Sequence, residues 1–187
     1  MGNDQVSEAV EALKKGGVVV FPTDTVWGVG ALISSKEGLR KLYKVKRREG
    51  GKPTAVLVSG VEMARKYGVL NEKAEELAEK YWPGGLTVVV GASKLVPRKV
   101  LGADGWVGLR TPNHGVALAL IKMAGEGIVT ASANFAGGNP PKNRREIEPE
   151  FEKMVNLVMS GEAGGSDPST VVRVVAEEIE VLRRGKF

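Results

Sequence analysis

The chain reads Val18-Val19-Val20-Phe21-Pro22-Thr23-Asp24-Thr25-Val26-Trp27-Gly28-Val29-Gly30 close to its amino end. The first four of these residues are apolar, which predicts a buried strand that ends at Pro22. A second strand is predicted over residues 26–33, directly after the polar Thr-Asp-Thr segment. Threonines favour strands, but hydroxyl groups at a strand exit can also hold an amino acid. The sequence does not decide between Thr23 and Thr25 for that role.

Helices and further strands follow in mixed order. An amphipathic helix is predicted before Gly16-Gly17, and Ser34 or Ser35, Asn71 and Asn113 are candidate caps of later helices. Other helices are predicted at residues 61–67, 71–81 and 116–124, and strands at 54–58, 86–90, 106–109, 128–131, 157–159, 171–175 and 179–182. Because strands and helices do not alternate strictly, we expect a single α/β domain over residues 1–187, with a twisted mixed β-sheet and flanking helices.

Composition excludes several classes of chemistry. The 187 residues include no cysteine, so disulfides, thiolate metal sites and cysteine nucleophiles are ruled out. The one histidine, His114, cannot build a multi-histidine zinc site, we predict no metal site in the protein, and His114 itself is best interpreted as a surface turn residue. No apolar run is long enough to span a bilayer, and the amino end is acidic rather than signal-like. We therefore expect a cytoplasmic protein without a membrane partner.

Common nucleotide-binding signatures are missing from the sequence. Gly28-Val29-Gly30 lacks the third glycine of a dinucleotide fingerprint, because position 33 is Ile33. No phosphate-binding loop of the G-x-x-x-x-G-K-[ST] type occurs either. Any phosphate must then be bound by side-chain cations and loop amides.

Two polar motifs lie about eighty-five residues apart, each where an apolar element runs into a Gly/Pro-rich loop. One is Lys46-Arg47-Arg48 followed by Lys52-Pro53, and the other is Thr130-Ala131-Ser132-Ala133-Asn134. A point charge beside a planar guanidinium suits a polyphosphate, and a hydroxyl beside an amide suits ribose, base or phosphate oxygens. Each motif also has a purely structural interpretation. The first could be an exposed, solvated basic helix end, and the Ser-Ala-Asn of the second could simply begin a turn. Taken together, the motifs indicate a nucleotide site.

The chain resembles the YrdC-like family, the threonylcarbamoyl-AMP synthases. Beside the three motifs above, the matching segments occur in the family's order between residues 8 and 185: Trp82-Pro83-Gly84-Gly85-Leu86-Thr87, Val107-Gly108-Leu109-Arg110-Thr111-Pro112, Ser169-Thr170-Val171-Val172 and Leu182-Arg183-Arg184-Gly185. Each segment alone is weak evidence of a relationship, but seven segments in the family's order make coincidence improbable.

The resemblance implies an enzyme, a nucleotidyltransferase that makes L-threonylcarbamoyl-AMP from L-threonine, bicarbonate and ATP and releases pyrophosphate. It also implies Mg²⁺ on the ATP phosphates. The product serves threonylcarbamoyladenosine formation in tRNA, so tRNA and other threonylcarbamoylation proteins are expected partners. The length of the chain resembles the short form of the family, without the extra carboxyl-terminal domain.

Roles carry over from the family residue by residue. Lys46 and Arg48 are the predicted catalytic residues and also bind the nucleotide. The remaining nucleotide contacts are Lys52, Ser132, Asn134 and Arg183, and the threonine contacts are Thr23 or Thr25, Arg110, Thr130 and Ser169. Arg110 would hold the substrate carboxylate by a bidentate fork.

Two positions depart from the family pattern. Many relatives carry a histidine where this chain has Leu57, and a serine where it has Pro140. The threonine contact of that histidine and the contact of that serine have no counterpart here.

Two other functions compete with the synthase. A net charge of +5, with Lys142, Arg144 and Arg145 in one loop, also suits a non-catalytic double-stranded RNA- or tRNA-binding module. Such a module would not explain the matched polar residues between the basic ones. The other is a carbamoyl-transferring relative of the kind found in hydrogenase-maturation proteins, which are normally much longer chains.

Overall fold

The computed structural model describes residues 2–47, 54–102, 105–165 and 167–185. Its helices are α1 (Gly2–Lys14), α2 (Lys36–Val45), α3 (Val61–Tyr67), α4 (Glu72–Tyr81), α5 (Gly115–Ala124) and α6 (Pro149–Glu152). Its strands are β1 (Val19–Phe21), β2 (Gly28–Leu32), β3 (Ala55–Leu57), β4 (Gly68–Val69), β5 (Leu86–Ala92), β6 (Trp106–Arg110), β7 (Ile128–Ser132), β8 (Leu157–Val158), β9 (Thr170–Val175) and β10 (Glu178–Arg183). A short 3₁₀ helix covers Arg144–Glu146.

The ten strands of the described residues join one sheet, in the order β10-β9-β5-β6-β3-β7-β2-β1-β8, with β4 pairing with part of β5. The pairs β1–β8, β3–β6 and β5–β9 are parallel, and the other neighbours are antiparallel. The predicted α/β fold on a mixed sheet is therefore confirmed.

The candidate capping residues read from the sequence locate two of the three helix starts for which they were proposed. Ser35 caps α2 by accepting a 3.0 Å hydrogen bond from the Gly38 amide, and Asn71 caps α4 in the same way through the Ala74 amide. The prediction of Asn113 as the cap of α5 was wrong: His114 occupies that position and makes no side-chain cap bond. Three short elements were missed, β4, α6 and the 3₁₀ helix, because segments of two to four residues show no readable period.

The two faces of the sheet are both covered by apolar residues. Along β1 the side chains alternate, so that Val19 and Phe21 belong to one buried cluster and Val20 to the other. The first cluster contains the packed faces of α1 and α5, and the second contains residues of α2, α3 and α4. No helix in the described part of the chain is long and apolar enough to cross a membrane.

Candidate active site

A cavity of about 650 Å³ opens over the middle of the sheet. Its floor includes a row of residues that lie opposite one another on neighbouring strands, Val89, Gly108, Ala55 and Thr130. Small side chains at the centre of this row leave the sheet surface low there. A Cβ atom on Gly108 would lie 3.1 Å from Cγ2 of Thr87. The lack of a side chain at position 108 therefore helps to create the cavity.

The cavity brings together most of the predicted site residues from across the sequence. Those that line it are Thr23, Thr25, Lys46, Arg110, Thr130, Ser132, Ser169 and Arg183. Arg48 and Lys52 lie outside the described residues. Asn134 is buried beside the cavity without lining it, and its amide nitrogen donates to the carbonyls of Phe135 and Gly138 at 2.7 and 2.8 Å.

Lys46 links the two motifs that the sequence analysis singled out. It follows α2 directly as the capping residue, and only 4% of it is exposed. Its Nζ donates to the carbonyl of Ser132 at 2.6 Å and to the carbonyl of Asn134. The interpretation as an exposed, solvated helix end is therefore wrong for Lys46. The ammonium group is fixed at the cavity wall by carbonyl oxygens of the second motif.

Arg110, the last residue of β6, is held at the cavity by three hydrogen bonds. Its Nε donates to the Gly84 carbonyl at 2.9 Å, Nη1 to Oγ1 of Thr25 at 2.9 Å, and Nη2 to Oδ1 of Asp24 at 2.5 Å. Burial lowers the pKa of Arg110, and the nearby Asp24 carboxylate partly opposes this effect. Within the described residues, three of its five N–H groups are thus engaged, and the other two can donate to a ligand.

Asp24 is a site residue that sequence reasoning missed. It lies in the loop between β1 and β2, is 6% exposed, and forms a buried ion pair with Arg110. Its position between two candidate threonines was the available signal. The acidic partner could be recognised only when the loop and the end of β6 were seen together.

The hydrogen bonds of the Thr23 and Thr25 hydroxyl groups show which of the two can still contact a ligand. The carbonyl of Val26 can only accept, so the 2.7 Å contact means that Thr23 Oγ1 donates to it. Thr25 must then donate to Thr23 across 2.9 Å, while it accepts from Arg110. Thr23 also accepts from the Thr25 amide at 3.2 Å, so both of its lone pairs are used. Among the contacts of the described residues, Thr25 retains one lone pair that can accept a hydrogen bond from a ligand.

A second group of polar residues joins β5, β9 and β10. Ser169 Oγ lies 2.8 Å from Oγ1 of Thr87 and accepts from Nη2 of Arg183 at 3.1 Å. Arg183 Nε donates to the Ser169 carbonyl at 3.0 Å. Burial lowers the pKa of Arg183, and the charge of Arg183 also lowers the pKa of Arg110. Two guanidinium groups therefore face the same cavity closely enough to repel each other. Thr87 was not singled out beforehand.

Both positions that depart from the family pattern line the cavity. Leu57 is buried and lies opposite Arg110 on the neighbouring parallel strand, and Pro140 comes from the loop after β7. The wall of the cavity is therefore apolar at the two places where many relatives have a histidine and a serine.

The mixed sheet and its cavity define an α/β protein with a cationic cleft, because Lys46, Arg110 and Arg183 line the cavity together with hydroxyl-bearing side chains. Comparison with known proteins identifies the family. The family model described as Sua5_yciO_yrdC, telomere recombination, matches residues 11–185. The chain belongs to this family.

Two curated relatives illustrate the range of lengths in the family. The chain is 31% identical over 183 residues to the threonylcarbamoyl-AMP synthase of Bacillus subtilis, and the match covers 96% of this chain and 53% of the relative. It is 30% identical over 190 residues to the putative threonylcarbamoyl-AMP synthase of Methanocaldococcus jannaschii, with 99% and 89% covered. The chain thus spans about half of the first relative and most of the second.

Solved structures agree with the fold. The crystal structure of P. abyssi Sua5 complexed with L-threonine matches with a TM-score of 0.91 and 30% identity over 96% of this chain and 54% of that one. E. coli YciO matches with a TM-score of 0.88 and 27% identity, over 97% and 89% of the two chains. Full-length HypF, at a TM-score of 0.84 and 19% identity over 97% of this chain and 29% of that one, shares the fold.

Proposed function

We propose that this chain makes L-threonylcarbamoyl-AMP from L-threonine, bicarbonate and ATP and releases pyrophosphate. The observation that carries the proposal is the convergence of two sets of residues in one cavity. Arg110 with Thr25 forms a set suited to an amino acid, and Lys46 held by Ser132 and Asn134 forms one suited to polyphosphate. The names of the B. subtilis and M. jannaschii relatives support the same reaction.

The reaction has two bond-forming steps. Bicarbonate takes up a proton and loses water to give CO₂. The amine of threonine then attacks the carbon of CO₂, which gives a carbamate and releases a proton. A carbamate oxygen then attacks the α-phosphorus of ATP, and the bond between that phosphorus and the bridging oxygen breaks. Pyrophosphate leaves with the electron pair. Since carbamate and triphosphate are both anions, their approach is the main obstacle that the site must overcome.

Cationic side chains of the cavity would reduce this repulsion. Arg110 would hold the threonine carboxylate with its two remaining N–H groups, and Thr25 would accept from the substrate hydroxyl or ammonium group. Ser169 and Thr130 complete the proposed threonine contacts. Lys46, Ser132 and Arg183 would contact ATP together with Arg48 and Lys52, while Asn134 orients Lys46 through its carbonyl. Preorganised charge and alignment are sufficient for this chemistry without a protein nucleophile.

Mg²⁺ enters the proposal as part of the substrate, the magnesium complex of ATP. The described residues contain no group of three or more His, Cys, Asp or Glu side chains that could hold a metal ion. The phosphate oxygens of ATP would therefore hold the ion, and the ion would offset part of the triphosphate charge. We place the reaction in the cytoplasm, where ATP, threonine and unmodified tRNA are available, with tRNA-threonylcarbamoylation proteins as consumers of the product.

The test is pyrophosphate release from ATP with each amino acid in turn, with and without bicarbonate. We expect release only with threonine and bicarbonate together, and serine as the best competitor because it keeps the hydroxyl group. A B. subtilis synthase assayed in parallel serves as the positive control. Release that does not depend on threonine or on bicarbonate would reject the proposal.

A further inference from the structure

The residue after Lys46 has a strained backbone conformation. Arg47 follows the capping residue of α2 and has a φ of 48°, in the left-handed region. Glycine is the usual residue directly after a helix cap in this conformation, because a Cβ atom makes the left-handed region costly. Such strain persists only where the surroundings fix the residue, and it is concentrated near functional sites. The presence of arginine instead of glycine is explained by what its side chain contacts.

The Arg47 side chain joins the end of α2 to the loop after β7 and to α6. Its guanidinium carbon lies 3.9 Å from the ring centroid of Phe135, and its Nη2 forms an ion pair with Oε1 of Glu150. The Phe135 ring is itself fixed, since it is 9% exposed and meets the buried Phe151 ring edge-on, with 5.3 Å between the centroids. Stacking on an aromatic face favours the planar guanidinium. The guanidinium group is therefore held by the loop and by α6 together.

The same loop carries the oxygen atoms that hold Lys46. The Lys46 Nζ donates to the carbonyls of Ser132 and Asn134, and Phe135 is the next residue along the chain. The amide of the residue after Phe135 donates to the Lys46 carbonyl at 3.0 Å. Lys46 lines the cavity, whereas Arg47 does not line it and has a side chain that is 55% exposed. Two consecutive residues of the chain thus bind one loop, one from the cavity side and one from the outer side.

We infer that Arg47 is a positioning residue, which fixes the Lys46 ammonium group in the cavity without contacting the ligand itself. This inference rests on the proposed function, because it assumes that Lys46 binds the phosphates of ATP. The stacking of Arg47 on Phe135 holds the loop where its carbonyls meet the Lys46 Nζ. The ammonium group then has one position before ATP arrives, so ATP binding does not carry the entropy cost of ordering it.

Arg47→Gly tests the side chain alone, because glycine adopts the left-handed conformation freely and keeps the turn. We expect about fivefold weaker ATP binding in equilibrium dialysis without threonine, where the proposed reaction cannot proceed. Arg40→Ala, at an exposed arginine of the same helix, is the control and keeps the wild-type affinity. Urea unfolding checks that both variants are folded. A loss of less than twofold in folded Arg47→Gly overturns the inference.

A double-mutant cycle with Lys46 separates positioning from direct contact. If Arg47 acts through Lys46, the loss caused by Arg47→Gly disappears in the Lys46→Ala protein, where no ammonium group remains to be positioned. We expect less than a twofold further change in ATP affinity in that background. A fivefold loss in both backgrounds would show that Arg47 acts on ATP independently of Lys46, and it would overturn the inference.

Threonine binding distinguishes positioning from a general loss of structure. Arg110 is held by Gly84 and Asp24, which belong to other segments than the loop after β7. Isothermal titration of Arg47→Gly with threonine should therefore give an affinity within twofold of wild type. Equal weakening of threonine and ATP would make the role of Arg47 merely structural and would contradict the inference.

The two proposals can fail separately. Coupling of Arg47 to Lys46 in ATP binding, without threonine-dependent pyrophosphate release, would reject the proposed reaction and keep the positioning role. Threonine-dependent release with equal losses of ATP affinity in the two backgrounds would do the reverse.

Discussion

Lys46 and Arg110 are cations that the fold buries beside the cavity, with exposed fractions of 4% and 6%. Burial of a charge is costly unless hydrogen bonds compensate, and both groups are held by oxygen atoms of the protein. Each side chain is therefore fixed before a ligand arrives. This preorganisation makes the effect of single substitutions on ligand binding predictable.

Lys46→Ala should reduce both activity and stability. Loss of one preorganised charge contact to the transition state costs about 2.7–4 kcal/mol, or roughly 100- to 1,000-fold in kcat, by analogy with an oxyanion-hole donor. The variant also removes this donor from the Asn134 carbonyl, whereas the Ser132 carbonyl still accepts from the Asn134 amide at 2.9 Å. The loss costs about 1–3 kcal/mol of unfolding free energy. Pyrophosphate release and urea unfolding measure the two effects.

Lys44→Ala is the matched control for this substitution, because Lys44 is an exposed lysine on the same helix. Its stability should stay within about 0.5 kcal/mol of wild type, with normal kinetics. Similar kinetics for the two alanine variants would remove Lys46 from the site.

Thr25→Val should lower kcat/KM for threonine by about tenfold or more and leave the KM for ATP almost unchanged. The substitution removes the one hydroxyl of the Thr23–Thr25 pair that retains a lone pair for a substrate. Thr25→Ser keeps the hydroxyl and should remain close to wild type. Thr23→Val should act mainly on stability, since Thr23 is engaged with Val26 and Thr25. Equal losses of kcat/KM in folded Thr23→Val and Thr25→Val proteins would contradict this division.

At the scale of elements, the β1–β2 loop and the end of β6 are held together by the Asp24–Arg110 pair. The carboxylate belongs to the loop that carries both candidate threonines, and the guanidinium belongs to a central strand. The pair therefore fixes the loop over the sheet. Its two side chains are 9% and 7% exposed, so solvent screens their interaction little.

Asp24→Ala should destabilise the fold by about 3–5 kcal/mol, because it leaves Arg110 buried without its anionic partner. Asp24→Asn should cost less, since an amide oxygen can still accept from Nη2. Thermal or urea unfolding measures both variants. Glu75→Ala breaks the exposed Arg65–Glu75 pair and serves as the comparison, with a much smaller effect because water screens that pair. A loss in Asp24→Ala no greater than in Glu75→Ala would show that the buried pair does not hold the loop.

At the scale of the whole molecule, the cavity is a consequence of the strand order. Residues from β9, β5, β6, β3, β7 and β2 line it, although these strands are widely spaced in the sequence. Small side chains at Gly108 and Ala55 keep the centre open, and polar side chains lie around them. Ligand binding therefore depends on the shape of the sheet surface as well as on charged groups.

Gly108→Val should fill part of the floor and weaken binding of both threonine and ATP. A Cβ there meets Thr87 at 3.1 Å, so we also expect a stability loss of about 1–3 kcal/mol from overpacking. Gly91→Val on the neighbouring strand β5 is the matched control, since a Cβ at that position has no atom within 4 Å. Isothermal titration with each ligand measures the difference. Wild-type affinities in a folded Gly108→Val protein would place the ligands elsewhere.

The sequence by itself determined the types of the longer elements, two of the three helix caps proposed for α2, α4 and α5, and the family. Caps such as Ser35 and Asn71 act on amides three residues away, and strand and helix periods involve near neighbours, so such features can be read locally. Local signals were too weak in two places. The cap of α5 is His114 rather than the predicted Asn113, and the two-residue strand β4 was not predicted.

Only the tertiary structure decided which side chains meet. The contact of Lys46 with the Ser132 carbonyl spans 86 residues, and the pairing of Asp24 with Arg110 also spans 86. Thr87 with Ser169 and Trp106 with Arg173 are also contacts between residues far apart in the sequence, and sequence reasoning had brought neither pair together. Such contacts follow from the order and register of strands, which depend on burial across the whole sheet rather than on any short pattern.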